Sequence, residues 1–174
     1  MTTRIFLLLF SAILFYTSCK SGLNSGKNAA PKVENLYNLI VNAPIAYDSS
    51  LANGLQANPN GMHPYVMAFL KKGPNRDQDS TTAAQLQKAH MDNILRMAET
   101  GKLVLAGPFS DDGEVRGIYI FNVATVEEAR ALTATDPAII AGRLTMELHP
   151  WYGSATLPLI NPLHKRLKNN EAPK

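Results

Sequence analysis

A histidine in the middle of an apolar helical stripe is the first residue of this chain with chemical promise. Ala83, Leu86, His90, Ile94 and Met97 recur at spacings of three and four, so they share one face of a helix. Burial on that face takes His90 partly out of water. Its protonation equilibrium can then move, and the imidazole can serve as a general base or acid. A core histidine bonded to a backbone carbonyl would occupy the same position, and the spacing does not separate the two. Asp136 stands before Pro137, the arrangement of an N-cap followed by proline at the first helical position. Capping accounts for this carboxylate by itself, but its second oxygen is free to orient an imidazole, as acid partners do in dyads. The two residues are 46 positions apart, and nothing in the linear pattern brings them together.

Weaker candidates surround this pair. Arg143, Glu147 and His149 alternate along one face of a strand that closes with His149-Pro150-Trp151-Tyr152. That pattern describes either a substrate-binding wall, with His149 polar and Trp151 as aromatic lid, or an exposed edge strand with an aromatic anchor. Lys71, Lys72 and Arg76 flank Gly73-Pro74, where Arg76 is a candidate for an anionic ligand; surface cations also occur with no ligand. Ser110 lies in the loop between Gly107 and Gly113, close to the expected pocket, and a turn role explains it equally well. There is no glycine-rich phosphate loop, no G-x-S-x-G elbow and no H-E-x-x-H. The four histidines lack metal-ligand spacing, so neither a metal nor a cofactor is expected.

The elements that must position these residues follow from periodicity. Tyr65–Leu70 and Val115–Val123 are apolar on both faces, as central strands are. A helix is predicted from about Thr82, with a Thr82/Gln85 capping box, to Thr100, stopped by Gly101. Lys102–Ala106 is a short strand. Thr125 and Glu128 form a second capping box that opens a helix to about Ala134. Arg143–Trp151 alternates, with Leu144, Met146 and Leu148 on one side. The order is β-α-β-β-α-β within residues 62–156. This predicts an α+β, ferredoxin-like fold, a four-stranded antiparallel sheet with the first and third strands central and the fourth at an edge. Two helices cover one sheet face only, so a homodimer formed sheet to sheet is expected.

Charge and cysteine use bound the partners. The chain has 174 residues, a formal charge of +3 and an isoelectric point near 9.0, which invites a nucleic-acid reading. Residues 62–156, however, hold 9 Lys and Arg against 11 Asp and Glu. The excess of positive charge lies at the two ends, so no nucleic-acid partner is expected. One cysteine excludes a disulfide framework.

That cysteine has an address-like context. Arg4 precedes a 12-residue apolar run, Ile5–Tyr16, too short for the roughly 20 residues of a spanning helix. Tyr16-Thr17-Ser18-Cys19 resembles a bacterial lipobox, with Tyr16 in place of the usual aliphatic residue. Residues 1–18 then read as a signal peptide, Cys19 as the lipidated first mature residue, and residues 19–61 as tether and arm. Residues 157–174 read as a loose basic tail. The expected address is the bacterial cell envelope, on a membrane through the lipid anchor, facing the periplasm or exterior.

Taken together, Ala89-His90-Met91, Gly101-Lys102-Leu103-Val104-Leu105-Ala106-Gly107-Pro108, Thr135-Asp136-Pro137, Ala141-Gly142 and His149-Pro150-Trp151 resemble the YCII (YciI-like) domain family. The resemblance runs from about Tyr65 to Tyr152. It implies a dimeric α/β-barrel, ferredoxin-like fold and an active-site histidine–aspartate pair, carried here by His90 and Asp136. Some relatives eliminate chloride from small ring compounds and others resemble muconolactone isomerases. The resemblance therefore implies a cofactor-independent lyase or isomerase acting on a small carbonyl compound. A tethered, non-catalytic module that binds a small ligand or a partner is the competing expectation.

Overall fold

The computed structural model describes residue 38 and residues 40–169. The expected signal peptide, Cys19, most of the tether and the last five residues of the tail lie outside them. The chain divides into Met1–Ala46 and Tyr47–Lys174. In the first unit the Asn42 N–H donates to the Asn38 carbonyl at 2.9 Å, one helical turn away. The second unit begins before the expected boundary at Met62 and contains the elements that carry chemistry.

Those elements are, in chain order, α1 (Ser49–Gly54), β1 (Met62–Lys72), α2 (Ser80–Glu99), β2 (Leu103–Pro108), β3 (Val115–Phe121), α3 (Val126–Thr133), α4 (Pro137–Ile140), β4 (Leu144–Ser154), a 3-10 turn (Leu157–Leu159) and α5 (Ile160–Leu167). The sheet is antiparallel in the order β2-β3-β1-β4. The fold is α+β and ferredoxin-like, with the two doubly apolar strands in the centre. The physical reason is burial: only strands covered on both faces gain from apolar residues at every position.

Strand parity sorts the core into two layers. Val66 and Ala68 of β1 and Tyr119 and Phe121 of β3 face the helices, where they pack with Met97, Leu103, Val123 and Ala129. Tyr65 and Ile120 point to the other face and pack with Val104, Met67, Leu105, Trp151 and Leu157. Successive side chains on a strand alternate, so each residue's face is fixed once one is known. On β4, Met146 and Leu148 join the helix-side layer, as their alternation predicts.

Helix boundaries follow local capping. The Thr125/Glu128 capping box is present at α3. At α2 the cap is Asp79, not Thr82: its Oδ1 accepts from the Thr82 N–H at 2.9 Å, and the helix starts two residues earlier than the Thr82/Gln85 pattern predicts. A carboxylate at the cap position competes better for these N–H groups than a hydroxyl one turn inside. Residues 157–169 also differ from a loose tail. Asn161 on α5 donates from Nδ2 to the Leu103 carbonyl at 2.7 Å, and Leu157 packs beside Tyr65, Val104 and Ile120.

Candidate active site

Asp136 is fully buried and divides its two oxygens between two tasks. Oδ1 accepts the Ala138 N–H at 2.9 Å and so caps α4. Oδ2 lies 2.6 Å from Nδ1 of His90, which is 5% exposed. A carboxylate only accepts, so Nδ1 carries the proton and donates. Nε2 is then the nitrogen that acts as base whenever the ring is neutral. It lies 3.2 Å from the Tyr119 hydroxyl, which donates to it, and the two rings stack at 6.3 Å between centroids. His90 comes from α2, Tyr119 from the centre of β3, and Asp136 from the turn between α3 and α4. The helix packing of α2 over the sheet puts them in register.

Electrostatics favour a charged aspartate and a protonated phenol. Burial pushes the Asp136 carboxyl upward, and the hydrogen bond and charge of a protonated His90 oppose it. With help from the Ala138 N–H and the Asn93 amide, they hold it below its usual range. Tyr119 is pushed strongly upward, by burial first and by the Asp136 charge second, so it stays an O–H donor. Asn93 sits three residues along α2 from His90; its Oδ1 accepts from Arg96 at 2.6 Å and from Thr135 at 3.1 Å. Its buried Nδ2 has no hydrogen-bond partner of normal geometry among the described residues.

His90 lies at the junction of two adjoining cavities. One, about 270 Å³, is also lined by Arg76, Arg116, Arg143 and Leu144. The other, about 200 Å³, is lined by Met91, Ile94, Ala106, Gly107 and Tyr119. Leu70, Gln87, Pro108 and Arg116 line both. Asp136 lies behind His90 and is not part of the lining.

The structure brings together only part of the sequence-derived set. His90 and Asp136 touch, and Arg76 shares their cavity. Ser110 is exposed in the loop after β2 and lines neither cavity. His149 and Trp151 project from the opposite sheet face. There the His149 ring stands edge-on to Phe69 at 5.6 Å and that of Trp151 lies 6.0 Å from Tyr65. His149 also contacts Glu147 at 2.9 Å, and Glu147 pairs with Lys71. Neither the polar wall expected of His149 nor the aromatic lid expected of Trp151 therefore belongs to the His90 cavities: with Leu144, Met146 and Leu148 toward the helices, positions 149 and 151 must face away.

Tyr119, Arg116, Gln87 and Asn93 are site residues that the sequence reading leaves out. Tyr119 had a signal. It shares strand parity with Gly117 and Phe121 and pairs with Ala68, so it belongs to the helix-facing layer beneath His90. Arg143 is legible only as part of the outer face of β4; the turn that starts the strand swings it into the cavity instead.

The sheet order and this buried pair define a ferredoxin-like α+β protein with a solvent-reached imidazole site. A YCII-related domain model matches residues 65–151, half of the chain, and the protein belongs to that family. Among solved structures, it is similar to the 5-chloro-2-hydroxyhydroquinone dehydrochlorinase of Burkholderia phenoliruptrix AC1100 in complex with 2,5-dihydroxybenzoquinone. The likeness is at 16% identity and a TM-score of 0.38, over 49% of this chain and 92% of that one. No curated protein matches.

Proposed function

We propose that the chain is a cofactor-independent acid–base enzyme, a lyase or isomerase for a small carbonyl compound. The observation that carries this reading is the 2.6 Å His90–Asp136 contact at the wall of a cavity. His90 Nε2 takes a proton from a carbon beside the carbonyl; the C–H electron pair moves into the enolate. Asp136 stabilises the imidazolium through Nδ1–H. The resting 3.2 Å contact from Tyr119 is long for an O–H donor and is given up when substrate enters. The Tyr119 O–H then donates to the enolate oxygen. Expulsion of a leaving group completes an elimination; return of the proton to another carbon completes an isomerisation. The test is solvent-deuterium exchange into a panel of cyclic ketones, lactones and quinones, followed by mass spectrometry. His90→Ala should lower exchange by about 10²–10⁴. Undiminished exchange in a folded His90→Ala protein refutes the reading.

A second reading has its own observation. Both ring nitrogens of His90 are engaged and the side chain is buried, which suits a structural histidine in a non-catalytic module that binds a small ligand or a partner. Ligand binding that survives in His90→Gln, with no exchange on any panel member, favours it.

Two further parts of the proposal concern place and assembly. Cys19 is the lipidated residue that holds the protein on the envelope membrane, on the motif Tyr16-Thr17-Ser18-Cys19 alone. A mass spectrum of the mature protein with unmodified Cys19 or an intact Met1 rejects it. The protein is a homodimer closed through the sheet face that bears Tyr65, Met67, Phe69 and Trp151. In support, α2 and α3 pack on the other face, the turn at Leu157 covers only part of this one, and its apolar residues call for a second cover.

A further inference from the structure

We infer that the ligand of the His90 cavities is a small amphiphilic organic anion. Its carboxylate lies between Arg76 and Arg143, and its apolar ring or chain lies along Met91, Ile94 and Ala106. This rests on the reading of the cavities as a ligand site and adds the chemical class of the ligand.

The first ground is charge. Three arginines, Arg76, Arg116 and Arg143, line one cavity, and no Asp or Glu lines either. Residues 62–156 as a whole carry more acidic than basic side chains, so the cluster runs against the charge of its own domain. The three arginines are not equivalent. Arg116 is committed to its loop, with Nη1 2.7 Å from the Asp111 carbonyl and 3.7 Å from Asp112 Oδ1. Arg76 donates to the Arg143 carbonyl at 3.1 Å, and Arg143 to Gln78 Oε1 at 2.8 Å. Neither has an acidic partner among the described residues. Each guanidinium offers five N–H donors in the fork geometry that takes a carboxylate, and two such residues line this cavity without one.

The second ground is how the backbone brings these two residues to one cavity. The Gly73 N–H donates to the Arg143 carbonyl and the Asn75 N–H to the Gly142 carbonyl, both at 2.9 Å. This short zipper fastens the segment after β1 to the start of β4 and leaves Arg76 and Arg143 on one wall. Cations that share one cavity repel each other, and an anion between them relieves that repulsion.

The third ground is the contrast between the two cavities. The guanidinium side adjoins a smaller apolar compartment of Met91, Ile94, Ala106, Gly107 and Tyr119, with His90 at the junction. A ligand that fills both has its charge at one end, its apolar part at the other and its reacting carbon between them.

The experiment is titration calorimetry on the full chain with phenylacetate, its neutral isostere phenylacetamide, acetate and inorganic phosphate. Phenylacetate should bind at least tenfold more tightly than each of the other three. Arg76→Gln and Arg143→Gln should each weaken phenylacetate at least tenfold with melting temperature unchanged, and Arg76→Lys should recover only part of the loss. Loss of exchange in His90→Ala tests the catalytic reading, and loss of phenylacetate binding in the arginine variants tests this one, so the two failures are distinguishable. Phenylacetamide or phosphate binding as tightly as phenylacetate overturns the inference, as does unaltered phenylacetate affinity in a folded Arg76→Gln,Arg143→Gln double variant.

Discussion

A Cβ added to Gly73 would come within 2.2 Å of the Gly142 carbonyl oxygen and 2.6 Å of the Arg143 carbonyl carbon. Both are backbone atoms and cannot swing aside as the end of a side chain would. Gly142 has φ +69°, and its own added Cβ would meet Asn75 Nδ2 at 2.6 Å. Two glycines thus let the segment after β1 lie against the start of β4. Gly73→Ala should separate the strands locally and cost about 1–3 kcal/mol, as overpacking does. A thermal melt measures that cost. The same variant should lose phenylacetate affinity, because Arg76 and Arg143 would part. A Gly73→Ala protein with unaltered melting and binding would show the contact to be slack.

Asp136→Asn tests the pair without emptying its space. Asparagine still caps α4, but the charge beside His90 Nδ1 is gone. Turnover on any substrate found by the exchange screen should fall about 10²–10⁴-fold. Acid stability gives an independent reading. Burial pushes the Asp136 carboxyl up, but His90, the Ala138 N–H and the Asn93 amide together hold it below its ordinary value of 3.8. A group lowered in the folded state stabilises fully above its unfolded pKa and loses that contribution as pH falls through the folded one. Denaturant melts from pH 6 down to pH 2 should therefore fall more steeply for the wild type than for Asp136→Asn. Parallel curves would deny the carboxylate its role.

Tyr119→Phe removes one hydroxyl and keeps the ring, including its edge-to-face contact with Phe121 at 5.7 Å. Stability should drop by about 1 kcal/mol for the lost hydrogen bond. Turnover should drop further, by about 10²-fold, as for a donor to a developing oxyanion, with KM little changed. An equal fall in affinity with kcat intact would make Tyr119 a binding residue only.

Phe69→Glu addresses assembly. Phe69 lies on the sheet face away from the helices, half-buried beside His149. The wild type should scatter light as a dimer at micromolar concentration and the variant as a monomer of native helix content. A monomeric wild type would reject the sheet-to-sheet dimer.

Much of the architecture was legible because burial writes itself into residue order. Tyr65–Leu70 and Val115–Val123 had to be central, since apolar side chains on both faces are stable only under cover on both sides. His90 was legible as an inner-stripe residue for the same reason. Other features were hidden by their range. Asp79 outcompetes Thr82 as a cap through the strength of a charged acceptor, a difference that the capping-box pattern does not weigh. His149 and Trp151 were legible as outer-face residues, either a wall and lid or an exposed edge with an anchor; that the His90 cavities open on the opposite face was not.

The sequence by itself determined the element order, the central strands, the chemical type of the candidate base and its acid partner, and the family. Those properties depend on local periodicity and on which side chain stands where. Only the tertiary structure decided that His90 and Asp136 meet at 2.6 Å, that Tyr119 stands on the other ring nitrogen, and that Arg76 and Arg143 share a wall. Those contacts join residues up to 67 positions apart. They are set by how α2 crosses the sheet and by a close approach of two backbones that only glycines permit, and no local pattern encodes either.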